Sequence, residues 1–285
     1  MVGRLGVANS EASASHLKGK TVRAEKVTQV VAITPVWNED LGMIQAFKNK
    51  IEEVRLALNR RGVGFRHFFL SDGAINLPDD EFPILVRHEK NLGLAQTLLD
   101  GYQAVLALSK PPEVIVRLDC QEHDPGKILE VVENMEHTPI GAVFMPVYYW
   151  VKGVERPAMR EVTQKIAKFI GDLSPIDKAG ILATYNQVFP IGYQAFRREA
   201  LQTLLPQLQA GVKICEELTG KPATWGLDLL AILLAGNDDT LMTDFIWGGW
   251  AEPWLENRGP DKVAAQKTKA EVMVEVAIRL GCKTQ

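Results

Sequence analysis

Acidic and amide side chains gather in Asn38-Glu39, Ser71-Asp72-Gly73 and the run from Asp119 to Asp124. Each cluster follows a largely apolar stretch, β-branched before the first and the third and aromatic before the second, so each falls where a strand should end. No basic cradle accompanies them. No Gly-x-Gly-x-x-Gly follows the first strand and no Walker lysine loop occurs, which disfavours ordinary dinucleotide and P-loop binding. No Gly-x-Ser-x-Gly elbow occurs either, which weakens a hydrolase reading. An α/β fold that handles phosphates without a basic cradle uses a divalent cation held by carboxylates. Mg²⁺ or Mn²⁺ then bridges protein oxygens and a diphosphate, neutralising the leaving group.

The elements that must position these clusters alternate. Val27 to Thr34 reads as a buried strand, followed by a Pro-x-Trp-Asn-Glu turn and a helix from about Leu41 to Arg60. Phe65 to Ser71 and Ile84 to His88 read as strands, and Asn91 to Leu108 has helical spacing. Val114 to Leu118 is a strand stopped by Asp119, and a helix from about Gly126 to Met135 precedes a strand from Ala142 to Val151. This alternation predicts an α/β fold with a largely parallel sheet covered on both faces. Such sheets bind ligands at the carboxyl ends of their strands, which is where the polar clusters lie.

The second half is less regular. Pro157 to Leu173, Arg197 to Leu218 and Trp225 to Leu234 read as helices, with Arg197 and Arg198 on a solvated face. Leu241 to Trp247 reads as a strand, and Asp261 to Leu280 as an amphipathic helix. We divide the chain into a tail at 1–26, a nucleotide-type half at 27–150 and a second half at 151–285.

Composition narrows the classes. The chain has 285 residues, 46% hydrophobic and 24% charged, enough apolar side chain to build a sizeable core. Its net charge of -3 offers no basic surplus for binding nucleic acid. Cys120, Cys215 and Cys282 fit neither a disulfide framework nor a zinc site, and a reducing compartment suits them. No apolar run is long enough to cross a bilayer, and no signal peptide is visible. The expectation is a cytoplasmic protein with at most peripheral membrane contact.

Taken in order, the segments resemble the inverting family 2 glycosyltransferases of GT-A fold, and especially their dolichyl-phosphate mannose synthase-like, polyprenyl-phosphate branch. VVAITPVWNED is similar to that family's opening strand and Pro-x-Tyr-Asn-Glu turn, with Trp37 in the Tyr position. FLSDGAIN resembles its Asp-Asp-Gly-Ser turn, RHEKNLGLAQTLLDGYQA its Asn-x-Gly helix start, and VIVRLDCQEHDPGKI its Asp-x-Asp strand end. VYYWVKGVERPAMREVTQKIAKF, IGYQAFRREAL and ENRGPDK resemble later blocks of the branch. The resemblance implies a Rossmann-like, three-layer α/β/α architecture with a mainly parallel central sheet and a helical C-terminal extension.

It also implies roles. Pro35, Trp37 and Glu39 would line the base and ribose of a nucleotide-diphosphate sugar, and Asp72 would contact the same moiety. Asp119 would face the metal and diphosphate, with Gln121 as a second metal ligand where the family has Asp, and Glu122 beside it. Arg258 and Lys262 would bind phosphate, for which a guanidinium fork and an ammonium are suited. Asp228 would be the base if the acceptor is a hydroxyl; a lipid-phosphate acceptor needs none. Bland roles stand beside these: Asp119 as a turn cap, Glu39 and Asp228 as acids favouring a helix dipole, Trp37 as packing, His123 as a hydrogen-bond partner. The altered Asp119-Cys120-Gln121 block motivates an alternative, a catalytically silent GT-A domain that binds a nucleotide sugar or a partner protein.

Overall fold

A computed structural model describes residues 26–73, 77–120, 123–145, 148–149, 193–238, 240–245, 250–251 and 260–282. The predicted tail and the predicted helix from Pro157 to Leu173 lie outside these residues, as do Gln121, Glu122 and Arg258.

Strand β1 (Gln29–Val36) shows why the sheet is central. Val30 and Ala32 enter one apolar core while Val31 and Ile33 enter the other, the period of two expected of a strand covered on both faces. Helix α1 (Leu41–Arg60) follows, capped by Asp40, whose Oδ1 accepts from the Met43 amide at 3.1 Å. It buries Ile44, Phe47, Ile51, Val54 and Leu58 at helical spacing. Then come β2 (Gly64–Asp72), β3 (Ile84–His88), α2 (Leu94–Leu106), β4 (Val114–Arg117), α3 (Lys127–His137), β5 (Ala142–Phe144) and β6 (Tyr148–Tyr149). The remaining described elements are β7 (Gln194–Arg197), α4 (Arg198–Thr219), α5 (Leu227–Asn237), β8 (Thr243–Phe245), β9 (Trp250–Ala251) and α6 (Pro260–Arg279).

Seven strands form one sheet in the order β3-β2-β1-β4-β7-β5-β8. All run parallel except β7, which is antiparallel to both β4 and β5. Helices α1 and α3 pack on one face, and α2, α4, α5 and α6 on the other. The sandwich is therefore the three-layer α/β/α arrangement the sequence predicts. Helix α5 is apolar nearly all round, with Leu227 and every residue from Leu229 to Gly236 buried, so it is the innermost helix of its layer. Among the described residues no helix is long and apolar enough to cross a membrane.

The structure corrects the reading at several points. The predicted strand from Ala142 to Val151 is divided: β5 ends at Phe144, and Tyr148–Tyr149 pairs with β9 in a separate two-stranded sheet. Strand β7, to which the reading assigned no element, takes in Arg197 just ahead of the helix, so a piece of the second half is inserted between β4 and β5. Arg197 is not on a solvated face; its guanidinium donates to the Ile140 carbonyl at 2.9 Å and also to that of Met135.

Candidate functional site

Strand pairing opens a crevice between β1 and β4. Their ladder ends at Ile33 and Arg117, whereas β1 continues beside β2 as far as Val36 and Ser71. Because β2 and β3 extend the sheet from one side of β1 and β4 lies on the other, this is the topological switch point where open α/β sheets hold ligands.

On the β4 side the crevice is charged. Arg117, the last residue of β4, is fully buried, and a buried guanidinium requires counter-charges. Its Nη2 lies 2.8 Å from Asp119 Oδ1 and 3.6 Å from Asp228 Oδ2. Asp119 comes from the turn after β4, Asp228 from the first turn of α5, and their side chains are 26% and 17% exposed. One cation thus gathers two acids from distant parts of the chain. Burial raises the pKa of Asp228, and Arg117 pulls it back down. Below them, Tyr102 is buried, and burial together with Asp228 pushes its phenol upward.

Strand β7 supplies the neighbour of Arg117 in the sheet. Gln194 is its register partner, is buried, and donates from Nε2 to the Asp228 carbonyl at 2.7 Å. Asp228 Oδ1 and Gln194 Oε1 are buried with no hydrogen-bond partner among the described residues. Orphaned buried oxygens are rare enough in proteins to mark places under functional demand. His123 closes the other side: its Nδ1 accepts from the Asp119 amide at 2.7 Å, so the ring proton sits on Nε2. Burial and then Arg117 hold its pKa well below that of a free imidazole. His123 is therefore a neutral hydrogen-bond partner, fixing the turn that presents Asp119.

On the β1–β2 side the polar groups serve the fold. Asp72 is buried, and its two oxygens accept from the Leu92 amide at 2.8 Å and the Gly93 amide at 2.9 Å. Oδ1 also lies 3.0 Å from His88 Nδ1, and His88 Nε2 lies 3.1 Å from Asp100 Oδ2. Gly93 has φ +89°, and a Cβ there would lie 2.6 Å from Thr224 Cβ. Only glycine lets α2 start this close to the segment entering α5. Pro35 is buried in β1 opposite Leu70. Trp37 is 47% exposed beyond the strand end, and its amide donates to Glu39 Oε2 at 2.6 Å.

The crevice thus brings Asp119 and Asp228 together, with Pro35, Trp37, Glu39 and Asp72 on its other rim. Lys262 lies in α6, and its side chain is outside the described residues. Arg117 and Gln194 escaped the sequence reading. The available signal was a lone arginine in VIVRL, since a charge inside a fully apolar strand must find an opposite charge. Among the described residues no group of three or more His, Cys, Asp or Glu side chains is placed to hold a metal.

The sequence matches no family model and no curated protein. The structure is similar to that of mannosyl-3-phosphoglycerate synthase from Rubrobacter xylanophilus, with TM-score 0.52 and 14% identity over 91% of this chain and 76% of that one. This likeness carries the fold, which is of the GT-A, Rossmann-like class. Weaker likenesses reach a variant of Drosophila β1,4-galactosyltransferase 7 in complex with manganese, UDP-Gal and xylobiose, with TM-score 0.39 and 15% identity over 77% of this chain and 65% of that one. Another is 4-diphosphocytidyl-2C-methyl-D-erythritol synthase from Anaerococcus prevotii, with TM-score 0.40 and 11% identity over 86% and 96% of the two chains.

Proposed function

We propose that this chain is a glycosyltransferase that moves a sugar from a nucleotide-diphosphate donor to an acceptor, with inversion at the anomeric carbon. The observation that carries the proposal is the pair of acids, Asp119 and Asp228, drawn onto one buried arginine at the switch point of the sheet. In this reading residues 27–150 bind the donor and residues 151–285 bring the acceptor.

Pro35, Trp37 and Glu39 line the nucleoside, and the exposed indole of Trp37 offers a face for stacking. Asp72 supports that rim from behind, through the Leu92–Gly93 turn. Asp119 takes the diphosphate end. Its partly exposed carboxylate is an oxygen donor that would suit a hard divalent cation. Mg²⁺ or Mn²⁺ there supplies charge neutralisation on the leaving diphosphate. Gln121 is the second proposed ligand, and Arg258 and Lys262 the proposed phosphate contacts.

Asp228 is the proposed base. The acceptor oxygen attacks the anomeric carbon, its proton passes to the Asp228 carboxylate, and the sugar–phosphate bond breaks with its electron pair leaving on the nucleoside diphosphate. A carboxylate whose pKa is raised by burial is a stronger proton acceptor than an exposed one, which suits this step. Two acids against one arginine favour a hydroxyl acceptor over a lipid phosphate, whose negative charge the site would repel.

Thermal unfolding against UDP, GDP, CDP and dTDP and their hexose conjugates, with Mg²⁺, Mn²⁺ or EDTA, tests this reading. A ligand bound by the native state raises the midpoint by mass action. One nucleotide should raise it, and more so with metal. No shift with any of them overturns the proposal.

A further inference from the structure

We propose that Arg117 and Gln194 act as a cross-strand clamp, two positioning residues that fix Asp228 over the strand ends from its carboxylate and from its main chain at once. The inference rests on the reading of Asp228 as the base.

The two side chains are register partners on antiparallel β4 and β7, and both are buried. Directly opposed residues project to the same face of a sheet. From that face Gln194 Nε2 holds the Asp228 carbonyl at 2.7 Å, while Arg117 Nη2 lies 3.6 Å from its carboxylate. Gly226, with φ +88° and no side-chain cap, starts α5 without a local device to orient its first turn. The sheet therefore does what a capping residue does elsewhere. The same guanidinium holds Asp119 at 2.8 Å, so the clamp also sets the distance between the diphosphate end and the base. Inserting β7 between β4 and β5 has a consequence here: it brings an amide from the second half beside the arginine of the first.

A double-mutant cycle tests the clamp, with nucleoside diphosphate release from a UDP-, GDP-, CDP- or dTDP-hexose as readout and water as the acceptor. Asp228→Asn should lower kcat by about a hundredfold or more. Arg117→Gln should lower kcat by about tenfold or more with the donor KM within about threefold, and Arg117→Lys should recover part of the loss. In Arg117→Gln/Asp228→Asn the losses should not multiply, the double variant staying within about threefold of Asp228→Asn alone. Gln194→Met carries the same cycle through the main-chain contact if Arg117→Gln does not fold. Losses that multiply, or wild-type kcat in both clamp variants, overturn the clamp while leaving the base in place. Wild-type turnover in Asp228→Asn overturns the base reading, and the clamp with it.

Discussion

The two rims of the crevice are built from similar side chains and put them to opposite uses. On the β1–β2 rim, Asp72 spends both oxygens on main-chain amides and His88, Glu39 closes the turn at Trp37, and Asp40 caps α1. On the β4–β7 rim, Asp119 and Asp228 share one arginine, and buried oxygens of Asp228 and Gln194 have no partner among the described residues. An acid whose hydrogen-bonding capacity is satisfied by amides holds structure. An acid in a low-dielectric corner with charge left over is poised for chemistry. The comparison separates residues of one type by environment, which their spacing in the chain does not.

Substitutions sharpen that contrast. The largest effect belongs to the second rim: Asp228→Asn should lower turnover about 10²- to 10⁴-fold, while a nucleotide still raises the unfolding midpoint. Asp72→Ala should act the other way round. It strands the buried amide of Gly93 and the half-buried amide of Leu92, at a cost of about 3 kcal/mol in urea denaturation. A loss of turnover from Asp72→Ala without a loss of stability would break the comparison.

A pH dependence comes next. His67 lies beneath the first rim, against Thr34 Oγ1 at 3.0 Å and between Phe47 and Phe69, and burial lowers its pKa to about 3. The unfolded chain takes a proton near pH 6.5 that the folded chain refuses until about pH 3. The native state is therefore fully favoured above that range and loses about 1.4 kcal/mol per pH unit as pH falls through it. Urea midpoints at pH 7 and pH 5 should differ accordingly, and His67→Phe should shrink the difference.

Asp119→Asn keeps the shape of the second rim and removes charge from its mouth. Nucleotide-sugar affinity in Mn²⁺ should fall about tenfold by calorimetry, with a smaller change in EDTA. The smallest effect on stability belongs to Trp37→Ala, about 0.5 kcal/mol, because the indole is half exposed. Its fluorescence in the wild type should nonetheless respond to a bound nucleotide.

Much of the fold was legible because it rests on local signals. Short apolar runs, β-branched in β1, β3 and β4 and aromatic in β2, gave the first four strands, and helical spacing gave α1 and α6 nearly to the residue. Strand β7 was not legible, because Gln194–Arg197 leads straight into α4 and its pairing partners β4 and β5 lie far back in the chain. Asp72 could be placed at a strand end, but the amides it holds are 20 and 21 residues downstream. Asp228 could be placed at a helix start, yet nothing in linear spacing joins it to Arg117. The local elements could be read; the electrostatic pairings that give the second rim its character are tertiary, and only the folded chain displays them.

The most direct test is release of nucleoside diphosphate by the wild-type chain from the nucleotide hexose that most raises its unfolding midpoint. The account predicts steady release in many-fold excess over protein, accelerated by an added sugar or polyol that supplies a hydroxyl. A donor that binds and stays intact would contradict it, and would mark the corner at Arg117 as the floor of a binding domain instead of a reaction centre.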